Sequence, residues 1–179
     1  MGGKWLELLK DAAPRITRVA HVARNFDIPE LAAVIEAAAA KLAITIIREP
    51  FRNDAAEMER AINAFAAEPN GALLMTGTAP ATPIFDAILR QAVQHQLPTI
   101  VGAARLVQDG LLMSYGPDAL DLVRGTASYI DRILRGAKPT ELPVQFPTKI
   151  PLVVNLKTAR AIGLDVPPSI LIRADEVIE

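Results

Sequence analysis

Four short stretches of this 179-residue chain hold the residues best suited to grip a small molecule: "RNFD" (24–27), "TGTAP" (76–80), "GAAR" (102–105) and "SYGPD" (114–118). Asn25, Thr76, Thr78, Ser114 and Tyr115 supply uncharged hydrogen-bonding groups, and Tyr115 adds an aromatic face. Neutral donors and acceptors suit reversible binding of a polar solute better than bond cleavage. Gly77 and Gly116 lie just ahead of predicted helices, where free backbone N–H groups and the positive helix end favour an anion such as a carboxylate. Asp118 opens the helix after "SYG". Spacing alone equally admits a plainer arrangement. In it, Thr78, Thr82 and Asp118 are ordinary helix caps, and Gly77 and Gly116 are turn glycines.

Constellations for catalysis are missing. The sequence contains no G-x-S-x-G elbow. The "GGK" at residues 2–4 lacks the leading glycine and trailing hydroxyl of a phosphate-binding loop, and no G-x-G-x-x-G follows the first strand. The chain has no cysteine, which removes thiolate chemistry, disulfides and cysteine-held metals. Its two histidines, His21 and His95, have no metal-ligand spacing. His21 falls inside a strand pattern and is expected to be buried and hydrogen-bonded. His95 falls near a helix C-terminus and is expected at the surface. Trp5 reads as a packing anchor. Neither an enzyme nor a cofactor or metal site is expected.

These loops need a scaffold, and the hydrophobic periods describe one. "RVAHVA" (18–23), "ITIIRE" (44–49), "GALLMTG" (71–77), "PTIVG" (98–102) and "LLMSY" (111–115) read as buried strands. Between them lie helical stripes. Leu31, Val34, Ile35, Ala38 and Leu42 mark one over 29–43, and Ala55, Met58, Ile62 and Phe65 mark another over 53–68, with Asp54 as its cap. A third covers 82–96. The clearest spans 117–136, with Leu120, Val123, Ala127, Ile130 and Leu134 on one side and Gly136 as its stop. Strand and helix thus alternate about five times over ~120 residues, the pattern of an α/β, doubly wound, mostly parallel sheet. In such a sheet the four stretches all fall at the carboxyl ends of strands, where ligands bind.

Beyond Gly136 the pattern changes. "AKPTELPVQFPTKIPLVV" carries four prolines and reads as an extended connector. A strand "IPLVVN", a short helix "LKTARAIG" and a tail "ADEVIE", read as a solvated helix face, complete the chain. The expected division is a Rossmann-like lobe over 1–138 and a connector and C-terminal segment over 139–179.

Hydrophobic residues make up 51% of the sequence and aromatics 4%, so the core is aliphatic. Nineteen Lys and Arg against 20 Asp and Glu leave a net charge of -1, which argues against a nucleic-acid partner. No apolar run approaches the ~20 residues of a membrane helix. The opening "MGGKWLELLKDAAPR" has no apolar core with a cleavage site. Read from Met1, the chain would be cytoplasmic.

The stretch from Gly110 to the C-terminus resembles the C-terminal part of the bacterial ABC-transporter substrate-binding proteins. The pieces that carry the likeness are "SYGPD", "YIDRILRGAKPTELPVQFPTK", "VVNLKTARAIGLDVPPS" and "RADEVIE", and "GKWLELLKDAAPRITRVA" extends it upstream. The resemblance implies a two-lobed periplasmic binding fold of Rossmann-like lobes, of which this chain matches the second. It implies reversible binding of an amino acid, an aromatic compound or a related solute, delivery to an ABC permease, and a periplasmic location. The implied ligand positions are Asn25, Phe26, Thr76, Gly77, Thr78, Ser114, Tyr115, Gly116 and Asp118. The family's Pro-Asp-Pro-like loop is replaced by "TGTAP". A single lobe would leave Val144, Phe146, Ile150, Leu152 and Val153 exposed, so a homo-oligomer is expected. A stand-alone cytoplasmic sensing or interaction domain is the alternative.

Overall fold

A computed structural model describes residues 1–23, 29–50, 54–77 and 82–179. Helix α1 (Gly2–Ala12) leads into β1 (Arg18–Ala23), α2 (Pro29–Lys41), β2 (Thr45–Pro50), α3 (Ala55–Ala66) and β3 (Gly71–Thr76). Next come α4 (Thr82–Gln94), β4 (Thr99–Val101), α5 (Ala104–Gln108), β5 (Met113–Tyr115) and α6 (Ala119–Leu134). A 3-10 turn (Pro139–Glu141), β6 (Leu152–Asn155), α7 (Leu156–Ala161), α8 (Pro168–Leu171) and β7 (Glu176–Ile178) finish the chain.

The seven strands form one sheet in the order β2-β1-β3-β4-β5-β6-β7. The first five are parallel, β6 runs antiparallel to β5, and β7 runs parallel to β6. This is the doubly wound α/β fold expected from the alternation. Strand β3 is buried along its whole length and β1 from Val19 onward, because helices cover both faces. Strand side chains alternate between two cores. Val19, Leu74, Ile100 and Met113 meet Trp5, Leu8 and Leu9 of α1 and Ile35 of α2. Ala20, Val22, Leu73, Met75 and Val101 meet Met58 and Ile62 of α3, Ile88 of α4 and Val107 of α5. Asp54 caps α3 as expected, its carboxylate accepting from Ala56 N at 2.8 Å.

Three expectations need correction. The segment 139–179 contributes β6 and β7 to the same sheet, so Leu152 and Val153 are buried. Pairing along β5 places both of their faces under helices. Of the residues expected exposed, Val144 and Phe146 are so and Ile150 is partly covered. The tail "ADEVIE" holds an edge strand where a helix is expected. Asp175 fixes it by exchanging two 2.8 Å bonds with Leu152, its N–H to Leu152 O and its carboxylate from Leu152 N. Finally, α6 forms as expected but buries none of its residues.

Candidate functional site

Parallel register decides which loops meet. Ala23 lies beside Thr76, Met75 beside Val101, and Val101 beside Ser114. The ends of β1, β3, β4 and β5 therefore form one row, and the chain leaves all four at the same rim of the sheet. Thr76, Gly77, Gly102, Ser114, Tyr115 and Gly116 are brought together there. Asn25, Phe26 and Thr78 lie outside the described residues.

Thr76 ends β3 with its hydroxyl 2.7 Å from Nε2 of His21, and both side chains are buried. They sit two residues apart along the paired strands, on the α1–α2 face. Burial, and secondarily the positive charge of Arg48 on the neighbouring strand, lower the His21 pKa from 6.5 to about 4. The ring is neutral at pH 7, so it orients the Thr76 hydroxyl without adding charge. His21 is thus the buried, hydrogen-bonded histidine expected from its strand pattern.

Tyr115 lies on the same face as Thr76, half-buried, and its carbonyl accepts from the Trp5 indole N–H at 2.5 Å. Helix α1 is thereby anchored directly beneath the rim, and Trp5 serves the packing role expected of it. Ser114 points the other way, toward the core shared by Val101 and Val153. It is 1% exposed. Among the described residues its Oγ is the one buried side-chain polar atom with no hydrogen-bond partner. A buried hydroxyl left unsatisfied costs about 1–3 kcal/mol.

Two glycines shape the rim for different reasons. A Cβ on Gly116 would lie 1.9 Å from the carbonyl oxygen of Gly102, so the tips of β4 and β5 touch backbone to backbone. No atom of the described residues lies within 4 Å of where a Cβ on Gly77 would go, but its φ of +89° is one that glycine adopts without strain. Asp118 is engaged in the plainer of its two roles. Its carboxylate caps α6, accepting from Leu120 N at 2.8 Å and Asp121 N at 3.1 Å. Its own N–H donates to Lys149 O, which ties the outgoing chain to the returning one.

A cavity of about 560 Å³ lies at the opposite edge, where the strands begin, against Ile16, Asn70, Pro98 and Gly163. It is bordered by turns in which Asn70 and Gln96 take positive φ between helix and strand, and Gly163 takes it between α7 and α8. His95 borders it half-buried, hydrogen-bonded to Asn63 and Gln91, so it ties α3 to α4. Among the described residues no group of three or more His, Asp or Glu side chains could hold a metal ion, and no helix is long and apolar enough to cross a membrane. The rim as described offers hydroxyls, an aromatic ring and bare backbone.

Comparison with known proteins gives this chemistry a context. The family model described as ABC transporter substrate binding protein matches residues 3–178. A conserved domain protein from Vibrio cholerae is similar at 24% identity and a TM-score of 0.85, over 98% of this chain and 60% of that one. The "ABC domain in complex with L-Trp" from Streptococcus pneumoniae is similar at 22% identity and a TM-score of 0.84, over 99% and 60%. A 5-methylthioribose transporter solute binding protein from Thermotoga lettingae, in complex with 5-methylthioribose, is similar at 14% identity and a TM-score of 0.63, over 95% and 62%. This chain therefore spans about three-fifths of the length of these solved structures. No curated protein matches it.

Proposed function

The chain belongs to the ABC transporter substrate binding protein family, and from that premise we propose that its strand-end rim receives a small polar solute for an ABC-type importer. The observation that carries the reading is the register. It puts the ends of four parallel strands on one rim whose described side chains include Thr76 and Tyr115. Open parallel sheets bind ligands at this edge.

The solute proposed is an amino acid or an aromatic compound of similar size. Hydroxyls on neutral partners hold carboxylate, amine or sugar hydroxyl groups without a fixed charge. The Tyr115 ring supplies an apolar face for a side chain or base to lie against. One structural neighbour carries L-Trp and another 5-methylthioribose, ligands that each combine a polar end with an apolar part. The chemistry is association and release. The His21–Thr76 pair is buried and neutral, which suits it to orienting a hydroxyl. Delivery to a membrane permease, on the outer side of the membrane, is part of the same proposal, and membership of the family supports it.

Affinity depends on how much of the solute is enclosed. Binding must offset several kcal/mol of lost translational and rotational freedom, and an open rim buries less of the solute than a closed cleft. A weak, millimolar to micromolar affinity is therefore proposed for the 179-residue chain. Isothermal titration calorimetry with L-tryptophan, the other amino acids and 5-methylthioribose tests it. Saturable heat with one of them, reduced by Tyr115→Ala, supports the reading. No binding by any of them to the folded chain would count against it.

A further inference from the structure

The bond between His21 and Thr76 decides what Thr76 can offer a solute. His21 lies inside β1, with Arg48 beside it on β2 and Leu74 beside it on β3. Its ring reaches along β3 to Thr76, two residues nearer the rim, where Nε2 and the hydroxyl oxygen are 2.7 Å apart. One proton lies between them. If Thr76 supplies it, only lone pairs remain to face the rim. If the ring supplies it, the hydroxyl proton must find its acceptor elsewhere. Electrostatics favours the second arrangement. Arg48 flanks the ring on the side away from Thr76. It is paired with Glu36 of α2, yet its charge still acts on the ring and opposes a second proton there. A neutral imidazole beside a cation keeps its one proton on the far side, and Nε2 is the nitrogen that faces β3. The Nε2–H form is also the commoner tautomer of a neutral imidazole in water.

We propose that His21 is a positioning residue: its Nε2–H donates to Thr76 Oγ1, turns the Thr76 hydroxyl proton to the rim, and so selects a solute whose polar end accepts, a carboxylate before any amine. This inference rests on the reading of the rim as the solute site. The neighbouring residues agree with it. Level with Thr76 across the sheet stand Gly102 and Tyr115, neither of them charged. Among the described residues 76–77, 102 and 114–118 the one carboxylate is Asp118, and it is occupied in capping α6. None of these residues therefore offers an ammonium group a free acid. A carboxylate over Thr76 leaves the apolar part of the solute to lie over Gly102, beside Tyr115. Trp5 packs beneath that glycine, its Cζ2 3.6 Å from where a Cβ would stand.

Two measurements test this. In the native chain at pH 7, the 15N shifts of the two His21 ring nitrogens should place the proton on Nε2. A proton on Nδ1 would overturn the proposal whatever binds. The second measurement is calorimetric titration with L-tryptophan, indole-3-propionate and tryptamine, which share one ring and differ in the polar end. The native chain should bind indole-3-propionate about tenfold more tightly than tryptamine, the difference one charge-assisted hydrogen bond makes. His21→Leu lets the Thr76 hydroxyl turn and should shrink that ratio about fivefold, with circular dichroism confirming the fold. His21→Gln, whose amide can still donate to Thr76, should keep most of it. Thr76→Val should abolish the preference, and adding His21→Leu to it should change the ratio no further, because His21 acts only through that hydroxyl. Equal affinity for the two compounds, or a ratio untouched by His21→Leu, would overturn this inference and leave the rim site standing. Binding of none of the three to the folded native chain would refute the rim site itself.

Discussion

Replacing Gly116 by alanine probes the rim at its tightest point. The new methyl group would sit 1.9 Å from Gly102 O, and real carbon–oxygen contacts begin near 3 Å. The tips of β4 and β5 would have to part by about 1 Å, and the obstacle is backbone, which cannot rotate aside. Overpacking of this kind costs about 1–3 kcal/mol, and an obstacle this rigid places the expected loss near 3 kcal/mol. For a chain of this size each kcal/mol moves the midpoint by roughly 2–4 °C, so Gly116→Ala should lower Tm by roughly 6–12 °C. Gly77→Ala is the companion. It meets no atom of the described residues and strains φ, so its cost should stay near 1 kcal/mol, or roughly 2–4 °C. Differential scanning calorimetry of both variants separates the two causes. Equal Tm values for Gly116→Ala and the native chain, or a larger loss at Gly77, would refute the account of how the rim is closed.

His21 makes stability pH-dependent with a definite sign. Folded His21 stays neutral down to about pH 4 while the unfolded chain protonates near 6.5, so its contribution is complete above 6.5 and disappears as pH falls toward 4. The loss is about 3 kcal/mol, and urea titrations at pH 7.5 and 4.5 should show it in the native chain but not in His21→Gln. Ser114→Ala should leave the unliganded chain as stable or up to about 2 kcal/mol more stable, because it removes an unsatisfied hydroxyl. A clear destabilisation in denaturant melts would mean the hydroxyl has a partner. Trp5→Phe should cost about 1–2 kcal/mol by freeing the Tyr115 carbonyl, measured the same way. Trp5 is the sole tryptophan, so its fluorescence should report solute arriving at Tyr115 above it.

Much of the scaffold is legible locally. The apolar runs at 18–23 and 71–77 and the stripe of Met58, Ile62 and Phe65 show within one element what each is. What escapes is whatever depends on a distant partner. The tail "ADEVIE" looks helical by composition, and only its docking beside β6 makes it a strand. Helix α5 has five residues, too few for a period to register. The stripe on α6 says which side seeks cover, but not that the rest of the chain leaves it open. At the rim, Thr76, Ser114 and Tyr115 can be picked out as polar strand ends. The His21–Thr76 bond joins residues 55 apart and follows from the register of β1 on β3, which neither strand encodes alone. The meeting of Gly102 with Gly116 is hidden in the same way.

The central claim is a solute held at the carboxyl rim. Amide chemical shifts of the 15N-labelled chain, followed while L-tryptophan and then 5-methylthioribose are added, test it most directly. Saturable shifts should cluster at Thr76, Gly77, Gly102, Tyr115 and Gly116. Shifts gathered instead around Asn70, Gln96 and Gly163 at the opposite edge, or none with either solute, would contradict it.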